Sequence, residues 1–160
     1  MGVRDSERSL ELKPDGRQSP AALAVARGVR RLLRSLGYST LPEVALASGR
    51  RADLVAISGD ASIHIIEIKS CVADFRADQK WPDYRAHCDQ LSFAIPADMP
   101  QDLLPLDAGL IVADAYGAMV LREAPQHRLA PATRRAMLLR FAQTGADRLH
   151  DLADPERGVF

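Results

Sequence analysis

Cysteine is almost absent, Cys71 and Cys88 being the only two in 160 residues. Two thiols make neither the disulfide framework of a small secreted domain nor a cysteine-based zinc knot, so a reducing, cytoplasmic setting is expected. Long apolar runs are missing too. None approaches the ~18–20 residues of a membrane-spanning helix, and no membrane partner is expected. The opening stretch MGVRDSERSLELKPDGRQSP is charged throughout and lacks the apolar centre of a secretory signal. Neither sign of charge dominates: 21 basic residues balance 21 acidic ones, so no global field draws the chain to nucleic acid. Lysine is scarce, at Lys13, Lys69 and Lys80 only, against 18 arginines. A GC-rich genome and a taste for phosphate or carboxylate, which the arginine fork suits, both account for that bias. There is no internal repeat, no low-complexity tract, no P-loop, no Rossmann fingerprint and no Ser/His/Asp set.

What remains is ordinary globular material, 47% hydrophobic and 26% charged. One domain is expected at this length. Residues 1–19 are polar, hold Pro14 and Gly16, and read as a flexible arm. Ser19-Pro20 then has the form of a helix start, and Gly37 that of a stop. Between them, residues 21–36 carry Val25, Val29, Leu32, Leu33 and Leu36 at helical spacing. Arg27, Arg30, Arg31 and Arg34 form a basic stripe on the same helix. It is either a solvated face or a surface that tracks phosphates.

Short β-compatible runs follow at 42–46, 51–58 (RADLVAIS) and 63–70 (IHIIEIKS), parted by tight turns, which predicts an antiparallel meander. Residues 74–89 read as a second helix with Pro82 in its first turn or at a kink, and 91–95 as a fourth strand. Residues 109–114 and 118–122 pair as a closing hairpin, and 131–144 form a last helix with a tail at 151–160. The order is α-β-β-β-α-β-β-β-α: an α/β chain whose mixed central sheet is flanked by helices.

The third strand is anomalous. Its isoleucines mark a buried strand, yet Glu67 and Lys69 interrupt it two residues apart and so share one face. Asp53 interrupts the neighbouring run in the same way. Buried charges cost several kcal/mol each unless they are paired or hold an ion. Adjacent strands lie ~4.8 Å apart, so Asp53 and Glu67, if opposite, reach one cation, with the main-chain carbonyl of Ile68 as a third oxygen ligand. All-oxygen ligands favour Mg²⁺ or Mn²⁺. Lys69 would then orient a water for attack on a phosphodiester. The plainer alternative is a buried ionic network with no ligand.

Asp53 followed by Glu67-Ile68-Lys69, between two helices, resembles the PD-(D/E)XK nuclease superfamily. That resemblance covers about residues 20–96 and implies a restriction-endonuclease-like αβββαβ core, here with an added C-terminal β-hairpin and helix. It also implies Mg²⁺ dependence and DNA cleavage. The blocks GRRADLVAI, IIEIKS, ADFRADQKWPDYRAHCDQL, GLIVADAYGA and REAPQHRLAPATRRAMLLRFA are similar to the MmcB-like DNA repair proteins over residues 20–150. The resemblance implies a repair protein that hydrolyses phosphodiester bonds in damaged or structured DNA, or a non-catalytic DNA-binding or recruiting module with the same fold. RNA cleavage would share the chemistry.

Two departures stand out. Ala52 occupies the place of the superfamily's proline, which does not touch metal, and the first helix contains no acid. Glu43 is the nearest substitute as a third carboxylate. Arg50 and Arg51 join the arginine stripe as expected phosphate contacts. So do Lys80 and Tyr84, since some relatives carry a Gln and Tyr at that spacing. Trp81 either stacks on an unpaired base or fills core. His64 points away from Glu67 and reads as a packed histidine, while Asp74 and Asp78 would repel phosphate and are expected to look away from DNA. The expected partners are DNA and other repair proteins. A second copy of the chain is a further expectation, through Leu103-Leu104-Pro105-Leu106.

Overall fold

The computed structural model describes residues 18–156. Most of the expected arm, 1–19, lies outside the described residues, as does the end of the expected tail. The first helix, α1 (Pro20–Ser35), begins as its sequence dictates: the Ser19 side chain accepts the Ala22 N–H and proline sits in the first turn. It ends where Gly37, at φ 87°, takes the left-handed conformation that other residues resist.

Three strands follow as the expected meander: β1 (Ser39–Ala45), β2 (Arg51–Ile57) and β3 (Ile63–Ile68). Each pairs antiparallel with the next. The fourth strand, β4 (Gln90–Ile95), lies parallel to β3, and β5 (Gly109–Ala113) lies parallel to β4. Strand β6 (Ala118–Arg122) closes the sheet antiparallel to β5, so six strands run in chain order across one mixed sheet. The burial follows from position: β3 and β4 are buried at every residue, whereas edge strand β6 buries neither face fully.

Alternation splits the core. Leu54, Ala56, Ile66 and Ile68 meet Val25, Val29 and Leu33 of α1 on one face. Val55, Ile63, Ile65 and Leu91 meet Tyr84 and Met137 on the other. Helix α1 comes so close to the β5–β6 turn that a Cβ on Gly28 would stand 2.0 Å from the Asp114 carbonyl oxygen. Only glycine fits there.

Two helical expectations need correction. The run 74–89 is not one helix but a short α2 (Val72–Ala77) and a 3-10 helix (Trp81–His87). Asp78 breaks it, its carboxylate accepting the Lys80 N–H two residues on, with Pro82 entering the next turn. The last helix, α3 (Pro131–Ala153), runs past the expected end at 144. Gly145 does not stop it because the helix continues onto Pro42 and Glu43, whose carbonyls accept hydrogen bonds from Arg148. The tail therefore starts after 153 rather than at 151. Among 103–106, Leu104 is buried in core and Leu106 stands 83% exposed. No helix among the described residues is long and apolar enough to cross a membrane.

Candidate functional site

The β2–β3 ladder ends at Leu54–Ile66, and the next pair in register is Asp53 opposite Glu67. There the carboxylates replace the main-chain rungs. Glu67 Oε1 accepts the Asp53 N–H at 3.2 Å, and Asp53 Oδ2 accepts the Ile68 N–H at 2.8 Å. Each acid is thus fixed by the other's strand, and both side chains share one face of the sheet. Beyond them the strands part into a cleft of about 630 Å³.

The electrostatics is that of two acids crowded together out of water. Burial raises the Glu67 pKa well above the carboxylate range, and the neighbouring Asp53 raises it further. Burial also raises Asp53, opposed by the Ile68 N–H and by Lys69. Glu67 is only 3% exposed, while Asp53 is half-buried at the cleft wall. Glu67 is therefore buried, and the pair is reachable through Asp53.

Lys69 belongs to the same face but is not paired with Glu67. Its Nζ lies 2.6 Å from Asp78 Oδ2. Burial pushes Asp78 upward, but the Lys69 ammonium and the Lys80 and Trp81 N–H groups hold it below the usual range. Asp74 is lowered chiefly by the Ser70 hydroxyl, 2.7 Å away. Both acids line the cleft, which corrects the expectation that they look away from it.

Lys80 is exposed at the cleft rim, and Tyr84 lines the wall with its hydroxyl donated to the Arg51 carbonyl at 3.1 Å. That bond holds the start of β2, two residues before Asp53. Arg50 lines the cleft with its guanidinium 2.7 Å from Asp83. Arg51 reaches the Glu43 carboxylate at 3.4 Å. Glu43, at φ 50°, also takes the Gln18 amide. It is near enough to raise the Asp53 pKa, but its carboxylate is turned to these two partners. Among the described residues, no three His, Cys, Asp or Glu side chains are placed together to hold a metal. What the structure offers is a two-carboxylate site. The stripe of Arg27, Arg30, Arg31 and Arg34 lines a different concavity, between α1 and β1.

Several residues are settled as packing. Trp81 sets its edge against Phe93 at 5.3 Å and lies under Arg85. His64 is packed as expected: it bonds Ser92 Oγ at 2.8 Å, and burial lowers its pKa to about 4. Asp89, without a role in the sequence, is a buried latch. It accepts N–H bonds from Ile63 and Leu129 and both Arg134 Nη groups, at 2.6 and 2.7 Å. Burial pushes it up, but these donors, Arg134 foremost, bring it to about 2. The latch ties α3 to the sheet.

A family model described as MmcB-like, DNA repair protein MmcB-like, matches residues 10–156. No curated protein matches the chain. A solved structure from Silicibacter pomeroyi, described as a protein of unknown function, shares the fold with a TM-score of 0.85 and 40% identity. The match covers 89% of this chain and 99% of that one.

Proposed function

The chain belongs to the MmcB-like DNA repair family, and on that premise we propose that it is a divalent-metal-dependent deoxyribonuclease of the PD-(D/E)XK kind acting on damaged or structured DNA. The observation that carries this reading is the Asp53–Glu67 pair: buried, cross-braced through main-chain N–H groups, and with both pKa values raised. Two such acids destabilise a protein by themselves, and a hard divalent cation is the ligand that relieves them.

The donor set fits Mg²⁺ or Mn²⁺. The two carboxylates would hold the ion with the Ile68 carbonyl, leaving other positions to water. Once bound, the ion supplies Lewis-acid stabilisation of a phosphoryl oxygen and makes water a better nucleophile. The chain's own groups do the rest. Lys69, fixed by Asp78, presents a positive charge on the Glu67 face, where it orients the attacking water and offsets charge on the phosphate. The water oxygen forms the new P–O bond and gives up a proton to solvent, the ester P–O bond breaks, and the leaving oxygen takes up a proton from solvent. Lys80 contacts phosphate at the rim, and Tyr84, through the Arg51 carbonyl, keeps β2 in place.

Mg²⁺-dependent cleavage of nicked, branched and single-stranded DNA tests the proposal. Asp53→Ala and Lys69→Ala are each expected to lose ~100-fold or more in rate. Equal activity in all three proteins overturns it. One observation favours a second reading, a binding or recruiting module without turnover: α1 contains no acid. Calorimetry with Mn²⁺ separates the two, because such a module has no need of metal at Asp53 and Glu67.

A further inference from the structure

The arginine stripe lines a concavity of about 840 Å³ between α1 and β1. Arg27, Arg30, Arg31 and Arg34 stand at helical spacings that stack them on one face. Glu43 is the one acid lining it among the described residues, and its carboxylate is engaged by Arg51 and Gln18. Among those residues, none of the four arginines is paired with a carboxylate. Two are instead held by neutral acceptors: Arg30 Nε donates to Thr40 Oγ1 and Arg31 to the Tyr116 carbonyl, each at 3.2 Å. Burial lowers the Arg30 pKa, and nearby Arg148 lowers it further. Several cations thus crowd one hollow in a chain of zero net charge. Their repulsion is unrelieved until an anion arrives.

The hollow adjoins the carboxylate cleft. Gln18 lines both, and the Gln18–Glu43–Arg51 chain of contacts stands between them. A sugar-phosphate chain leaving the carboxylates therefore meets Arg51 and Gln18 first and the stripe next. Shape selects the polymer: a stiff duplex presents a convex backbone that would bridge such a hollow, whereas a single strand bends into a basic groove.

We propose that this hollow seats an unpaired DNA strand continuing from the carboxylate cleft, so that the substrate class is DNA with a single-stranded flap, gap or overhang. The inference rests on the nuclease reading for what happens in the cleft, but strand binding itself needs no metal and no turnover. The test is fluorescence anisotropy of the full chain in EDTA. The probes are a labelled oligothymidylate of about a dozen nucleotides, a blunt duplex of equal length and an oligouridylate.

The oligothymidylate is expected to bind ~10-fold more tightly than the duplex. Arg27→Ala/Arg34→Ala should weaken it ~10-fold and flatten the dependence of log affinity on log salt by ~1.4, about 0.7 for each lost phosphate contact. Both arginines are exposed, and Arg34→Glu, checked by circular dichroism, gives a second variant expected to weaken binding at least as much. Duplex binding as tight as single-strand binding, unchanged affinity in both variants, or a preference for oligouridylate overturns the proposal. Metal-dependent cleavage that survives any of those results leaves the nuclease reading standing. Loss of the nuclease reading in turn leaves the strand-binding measurement readable.

Discussion

Glu67→Gln separates stability from function at the proposed metal site. The substitution keeps the shape of the side chain and an oxygen to accept the Asp53 N–H, but removes the charge. In the metal-free protein that charge is unfavourable. Glu67 is 3% exposed, and burial, Asp53 and Asp78 all raise its pKa, against the Asp53 N–H and Lys69. Relief of a buried, repelled carboxylate should therefore stabilise the variant, by about 1–4 kcal/mol as when other buried charges are replaced by neutral groups, at neutral pH in EDTA.

The pH dependence has a definite sign. A carboxyl with a raised folded-state pKa keeps its proton longer in the folded chain. Wild type therefore loses stability as pH climbs from the unfolded value of about 4.3 until the folded value is passed. Glu67→Gln should flatten that slope. Metal acts in the opposite direction: at about 100 times its Kd, Mn²⁺ adds about 2.7 kcal/mol to wild type and nothing to a variant that cannot bind it. Urea unfolding at pH 5 and pH 8, in EDTA and in Mn²⁺, measures all four corners. A variant no more stable than wild type in EDTA, or stabilised equally by Mn²⁺, would refute the reasoning.

Gly28→Ala must push apart α1 and the β5–β6 turn, because its Cβ would fall 2.0 and 2.4 Å from two main-chain carbonyl oxygens; a loss of about 2–3 kcal/mol is expected in the urea midpoint. Asp89→Asn weakens the latch to Arg134 and should cost about 2 kcal/mol at neutral pH, less than a fully buried pair because Arg134 is partly exposed. The Asp89 pKa of about 2 lies below the unfolded value of about 3.9, so its stabilisation is present above that value and fades as pH falls through 2. The variant should accordingly show a flatter acid limb in a stability–pH series. Asp78→Asn leaves the Lys69 ammonium without its anion; cleavage should slow by ~10-fold or more with Mn²⁺ affinity little changed, checked by paired kinetics and calorimetry.

The strands and the two carboxylates were legible for one reason: a charge inside an isoleucine-rich β-run conflicts with its surroundings, and Asp53, Glu67 and Lys69 all carry that conflict. Asp78 was not legible as the partner of Lys69, because it lies in a turn, where an acid conflicts with nothing. The same residue hid the break in the second helix. Its bond to the Lys80 N–H is a local alternative to helix that composition does not reveal. The length of the last helix was not legible either, and Gly145 just past the expected end at 144 does not break it. A mid-helix glycine costs about 1 kcal/mol relative to alanine, yet the turns beyond it are held by Arg148 on Pro42 and Glu43, a tertiary contact invisible in the local pattern.

The zero net charge conceals an uneven placing of sign: a cleft of mixed charge and a hollow with four arginines and one acid. Asp53, Glu67, Asp74 and Asp78 line the cleft where a phosphodiester would have to sit, among Arg50, Arg51, Lys69 and Lys80. A divalent ion offsets two of the acid charges and Lys69 a third. The polymer must still be held while its backbone enters a cleft of mixed sign. Four arginines in the next hollow can do so without filling the cleft themselves. Screening acts over ~8–10 Å at physiological salt, so the two fields act as neighbours rather than as one averaged charge. Raising salt should therefore weaken capture of DNA well before it weakens metal at Asp53 and Glu67, whose burial shields them from counterions. A rise in KM with salt at nearly constant kcat is the kinetic form of that asymmetry, and a parallel fall in both would mean that cleft and groove are not separate binding elements.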